Sequence, residues 1–163
     1  MTLQCISAAC AAFMLASSVA LAQGLGVSFE GLSADANAPL EIEAERLEVD
    51  QDNGDALFSG DVRVVRGEMR LSAPTVKITY TEDNGISRML ATGGAHLATA
   101  AEDMSASTVD YALEDDLILL SGDVVFVQGS TTISSERMRI DLKANSGVLE
   151  GSIRSIIQPR ARE

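Results

Sequence analysis

One phrase occurs four times along the chain, and its pattern of apolar residues leaves few folds open. In its clearest copy, Leu71-Ser72-Ala73-Pro74-Thr75-Val76-Lys77-Ile78-Thr79-Tyr80, apolar and polar residues alternate on both sides of a small residue, but the apolar parity changes across it. The other copies start at Ile42, Met104 and Ile133, so the four starts are 29, 33 and 29 residues apart. Such spacing marks an internal repeat. Alternation with period two is the signature of a strand with one buried face, and an extra residue that keeps the apolar set on one side is what a β-bulge or strand corner supplies. Each copy therefore predicts a bent strand, with its bend near Ala44, Ala73, Ala106 or Ser135. Pro74 fits a bulge, because a residue without an N–H is excluded from a regular central strand.

A second phrase answers the first. Phe58-Ser59-Gly60-Asp61-Val62-Arg63-Val64 is echoed around Gly93, Gly122 and Gly151, with the glycine on the apolar parity, where a missing side chain permits a bend or close approach. Between the phrases stand Asp52-Asn53-Gly54, Asp83-Asn84-Gly85, Glu114-Asp115-Asp116 and Asn145-Ser146-Gly147, whose last residues are 31 apart. These predict hairpin turns, with Asn-Gly supplying the positive φ values of a type I′ turn. The expectation is an all-β domain of about eight long antiparallel strands built from stacked hairpins.

Residues 1–22 are uncharged and apolar and end in Ala20-Leu21-Ala22, the pattern of a secretory signal peptide cleaved before Gln23. The n-region has no Lys or Arg, which departs from the usual signal. Residues 23–38 are rich in Gly, Ser and Ala without clear period and predict a flexible N-terminal arm, followed by one domain over 39–159 and a short tail over 160–163. Both cysteines, Cys5 and Cys10, lie in the signal, so the exported part has no disulfide, thiol nucleophile or cysteine-based metal site.

The formal net charge of −12 falls wholly after residue 22, which disfavours nucleic acid as a partner. Basic residues cluster at Arg63, Arg66 and Arg70 and at Arg137, Arg139 and Lys143, and read as a solvated face. Residues for catalysis are scarce. His96, the only histidine, takes the place of Arg63 in the repeat and reads as an exposed strand residue. The acidic run Asp50 to Asp55 places its glycine one position too early for a calcium loop, and no glutamate follows where the loop requires it. There is no G-x-S-x-G, P-loop or dinucleotide fingerprint. The chain reads as a non-enzymatic protein with no cofactor and no metal.

The inner face is aliphatic, with no tryptophan and only 4% aromatic residues. Parity assigns to it Leu47, Val49, Val62, Val64, Leu71, Val76, Ile78, Leu97, Val109, Tyr111, Val124, Phe126, Met138 and Ile140. Composition alone allows these to form an ordinary closed core between two sheets.

An exported chain with repeats of this form, S-G-D-V-x-V echoes and the closing phrase Ile153-Arg154-Ser155-Ile156-Ile157-Gln158-Pro159 resembles the OstA-like family of lipopolysaccharide transport proteins over residues 39–159. The resemblance implies a β-jellyroll whose two sheets enclose an open apolar slot, with the inward residues named above as its lipid-binding lining. It also implies a periplasmic bridge that receives lipopolysaccharide from LptC and passes it to LptD. The N-terminal edge, around Leu40 to Val49, would meet LptC, and the C-terminal strand, around Val148 to Ile157, would meet LptD. Copies would join head to tail into a homo-oligomer by pairing of unlike edges. Burying one acyl chain of about a dozen methylenes at roughly 0.8 kcal/mol each gives on the order of 10 kcal/mol, enough to hold a lipid out of water. The acidic surface would leave the phosphorylated sugars in solvent. Two alternatives stand beside this reading: an exported β-repeat structural or adhesive module with a filled core, and a β-helical polysaccharide enzyme, for which the repeats place no carboxylate cluster consistently.

Overall fold

The structure, a computed structural model, describes residues 29–33, 38–50 and 54–158. The expected signal over 1–22, residues 23–28 and 34–37 of the arm and the tail over 160–163 lie outside the described residues. A single turn of helix, α1 (Glu30–Ser33), precedes the strands β1 (Glu41–Glu43), β2 (Arg46–Val49), β3 (Ala56–Arg66), β4 (Met69–Tyr80) and β5 (Ile86–Ala98). The chain continues through β6 (Glu102–Ala112), β7 (Leu117–Gln128), β8 (Thr131–Asp141), β9 (Ser146–Glu150) and β10 (Arg154–Ile157). All strand pairs are antiparallel, and β3 to β8 follow one another in sequence order. β1 and β2 both pair with β3, on either side of its bend, and β9 and β10 do the same with β8. The eight expected bent strands are thus present, with the first and last broken in two at their corners.

The corners fold this sheet into two facing layers. Register shifts between Ser59 and Val62, Thr92 and Ala95, Ser105 and Thr108, and Ser121 and Val124 lie beside the small residues Ala73, Ala106 and Ser135. Ala44 falls in the gap between β1 and β2. Three corners carry two successive left-handed residues where a strand would have extended ones, Gly60 and Asp61, Gly93 and Gly94, and Gly122 and Asp123, and the last carries one, Gly151. The need for glycine is also steric. A Cβ on Gly122, whose φ is +80°, would lie 2.6 Å from Ser107 Oγ, and one on Gly93 would meet the ring of Pro74 at 3.2 Å. Ser107 and Pro74 each follow the small residue of the first phrase, so the two phrases of the repeat pack on one another at the bend.

The turns at 83–85, 114–116 and 145–147 stand where the sequence placed them, but their backbone differs; Asp52 and Asn53 of the first expected turn lie outside the described residues. At Asn84 (φ +62°), Asp116 (φ +53°) and Asn145 (φ +46°) the side-chain amide or carboxylate residue takes the left-handed position, while Gly85 and Gly147 are not left-handed. Asn and Asp tolerate that region because their short polar groups bond locally. These turns are therefore not type I′, whose two central residues are both left-handed.

Candidate functional site

Cross-strand register lines the inner face up in rows that cross every strand. In one layer, Leu47, Phe58, Val76, Ala91, Val109, Leu120, Met138 and Leu149 are successive partners from β2 to β9. Beside them run Val49, Ala56, Ile78, Met89, Tyr111, Ile118, Ile140 and Gly147. In the other layer Ile42, Val64, Leu71, Leu97, Met104, Phe126 and Ile133 pair in turn from β1 to β8. Partners directly opposite in an antiparallel pair share a face, so each row is one continuous apolar stripe at right angles to the strands.

Twelve of the fourteen expected lining residues are no more than 4% exposed, so the two layers close on one another along the middle of the molecule. Leu47 and Val49 differ: they keep the inward parity, opposite Phe58 and Ala56, but are 53% and 61% exposed. They lie on β2, which among the described residues has a partner on one side only and no strand beyond it to cover them. At the other end Ile153 and Ile157 are likewise exposed, Ile157 on the inward parity opposite Thr131. The apolar rows thus run uncovered into the β2 edge, while at the other end Leu149 is half-buried and the exposed Ile153 and Ile157 stand just before and on β10.

Several interior residues lie outside the fourteen that the sequence assigned to the lining. Met89, Ala91, Met104, Ile118, Leu120 and Ile133 belong to the same rows and are buried, and their period-two spacing was the available signal. Phe29 and Leu32 are buried too, although they fall in the stretch expected to be a flexible arm; Phe29, just before α1, and Leu32, within it, instead pack against the core. Four helical residues show no hydrophobic period that a sequence pattern could report.

Polar groups sit at the rim. Arg66, expected on a solvated basic face, has the inward parity at the end of β3, where its Nη1 donates to Tyr111 Oη at 3.2 Å and links the two layers. Burial holds the Tyr111 phenol above its usual pKa, opposed by Arg66 and reinforced by Asp116. Farther along the same strand ends, Glu102, 3% exposed, accepts from Thr99 Oγ1 and from Gln128 Nε2. His96 faces outward with Nε2 3.0 Å from both carboxylate oxygens of Asp103. On the outer face Lys77 pairs with Asp55 at 2.6 Å, which lowers the Asp55 pKa, and Arg88 Nε donates to Asp110 at 2.7 Å. Among the described residues no group of His, Cys, Asp and Glu is placed to hold a metal ion.

A bent antiparallel sheet folded into two layers around an apolar interior, with open edges at both ends, defines a β-jellyroll of the OstA-like type. Residues 41–146 match the family model described as LptA/(LptD N-terminal domain) LPS transport protein. The chain belongs to that family of transport proteins, and within it the resemblance is to LptA. It is 26% identical over 153 residues to the lipopolysaccharide export system protein LptH of Pseudomonas aeruginosa, covering 87% of this chain and 86% of that one. An uncharacterised protein of Rhizobium meliloti is 25% identical over 161 residues, covering 91% of this chain and 87% of that protein. The crystal structure of P. aeruginosa LptH, described as the LptA homologous periplasmic component of a lipopolysaccharide transport device, superposes with a TM-score of 0.70. That match has 20% identity and covers 77% of this chain and 99% of the other.

Proposed function

We propose that the protein is a periplasmic carrier that holds the acyl chains of lipopolysaccharide between its two layers and passes them along a bridge from LptC to LptD. The observation that carries this reading is the apolar row from Leu47 to Leu149, which crosses eight strands and ends uncovered at an unpaired edge. At about 4.8 Å per strand spacing the row is roughly 34 Å long, longer than one acyl chain. A filled globular core has no need of such a stripe reaching the edges. Export rests on residues 1–22, cleaved after Ala22.

Among the described residues β1, β2, β9 and β10 each pair on one side only, so both ends offer free N–H and C=O groups. Natural sheets usually cover or charge such edges, whereas a bridge uses them: adding a neighbour's last strand to this protein's first extends both layers and joins the apolar rows. LptC or a preceding copy takes the β1 and β2 edge, and the following copy or LptD takes the β9 and β10 edge. Because the two edges differ, the contact is heterologous and propagates head to tail.

The complete burial of the central residues favours a second reading, an exported structural module with a filled core. A fluorescent acyl probe displaced by lipopolysaccharide separates the two. The carrier binds the probe when folded and releases it to lipopolysaccharide; a folded protein that takes up no probe is the structural module. Deleting residues 148–163 tests the bridge, with loss of concentration-dependent assembly and of LptD binding expected while LptC binding persists. Head-to-tail assembly by the folded, truncated protein would refute the end-to-end arrangement.

A further inference from the structure

The folded sheet has one long side closed by the corners and one where the ends of the two layers meet. Residues 29–33 lie across that second side. The Phe29 ring packs against Phe126 of one layer, with centroids 5.8 Å apart, and lies over Gly147 of the other. It is 3% exposed, and its N–H donates to Asn145 Oδ1 at 2.8 Å. Gly31 lies so close to the rim that a Cβ there would come within 2.8 Å of Thr99 Oγ1 and 2.9 Å of Glu102 Oε2. Farther along, Ala38 and Leu40 line an opening of about 340 Å³ with Arg66, Ile86, Leu113 and Glu114.

Gly147 shows that the ring is seated in a fitted notch. Its backbone is not left-handed, so no turn demands glycine there, yet a Cβ would stand 2.6 Å from Phe29 Cζ. The glycine makes room for the ring.

On the lipid-carrier reading, we propose that residues 29–33 are an internal plug: Phe29 and Leu32 occupy the space between the layers that an acyl chain takes, and entry of lipid displaces them. One turn of helix has no stability of its own, so the segment is held by these contacts and is released when they are taken by another apolar group. The empty protein then keeps its interior closed, and the returning plug assists release of the lipid. A site whose open form is a minor population binds with an affinity reduced by that fraction.

The test uses the exported protein, residues 23–163, as wild type, Phe29→Ala and Gly147→Ala, with a dodecanoyl chain bearing an environment-sensitive dye as probe. Phe29→Ala removes the plug, while Gly147→Ala leaves it intact and fills its notch from an edge strand. Both variants are expected to bind the probe roughly tenfold or more tightly than wild type. Amide exchange at residues 29–33 should rise in wild type on saturation with probe, to the level of Gly147→Ala without probe. Unchanged or weaker affinity in the folded variants, or exchange that the probe does not alter, overturns the plug alone. Failure of all three proteins to bind overturns the lipid-carrier reading with it. Failure of both variants to fold would also overturn the plug, because the segment would then be a fixed part of the core.

Discussion

Replacing Gly122 by alanine tests the corner on which the two-layer fold depends. With φ at +80°, an L residue there costs about 1–2 kcal/mol in backbone strain alone. Its Cβ would also lie 2.6 Å from Ser107 Oγ and 2.8 Å from Ser107 Cβ. Relieving an overlap of that kind costs about 1–3 kcal/mol, so the expected loss is about 2–5 kcal/mol in total. Gly129 provides the control, since it has φ +58° but nothing within 4 Å of a Cβ. Gly129→Ala should therefore lose only the backbone part, about 1–2 kcal/mol. Urea unfolding followed by circular dichroism measures both. Adding Ser107→Gly to Gly122→Ala makes room for the new methyl and should recover about 1 kcal/mol or more as a coupling between the two positions. Equal losses at positions 122 and 129, with no coupling to Ser107, would refute the corner packing.

The remaining expectations concern the interior, the ends, the rim and export. Phe126→Ala, at a fully buried position, should cost about 3–5 kcal/mol, whereas Leu47→Ala should change the unfolding free energy of dilute protein by less than about 0.5 kcal/mol yet weaken head-to-tail assembly in analytical ultracentrifugation. Tyr111 has its pKa raised on folding, so the folded state holds the proton more tightly; its contribution to stability is full below the unfolded phenol value of about 10 and is lost as pH rises through the folded value. Denaturant unfolding at stepped alkaline pH should show that loss, and Tyr111→Phe should reduce it. Intact mass of the exported protein should begin at Gln23, and membrane retention with residues 1–22 attached would contradict cleavage.

Much of this fold could be read from parity. The change of apolar parity at Ala73, Ala106 and Ser135 located the bends because a period of two cannot skip a position without a local break in the ladder. The glycine phrase marked the facing half of each bend for the same reason. The turn conformations were not legible: Asn145 and Gly147 can each adopt a left-handed backbone, and only the packing of Phe29 shows why Gly147 is glycine. Parity also gave the direction of Leu47 and Val49 but not their exposure, which depends on whether another strand lies beyond β2. Phe29 and Leu32 were out of reach because their burial is decided by the packed interior of the sheet, which for Phe29 means Phe126 and Gly147, both far away in sequence.

The central claim is that the inward rows carry lipopolysaccharide, and site-specific photo-crosslinking in cells tests it most directly. Crosslinkers replacing Val76, Val109 and Met138, which lie in one row between the layers, should yield lipopolysaccharide adducts. Crosslinkers at Glu48, Lys77 and Arg139, which are exposed on the opposite parity, should yield none. Equal labelling of the two sets, or adducts confined to the outer one, would contradict the claim.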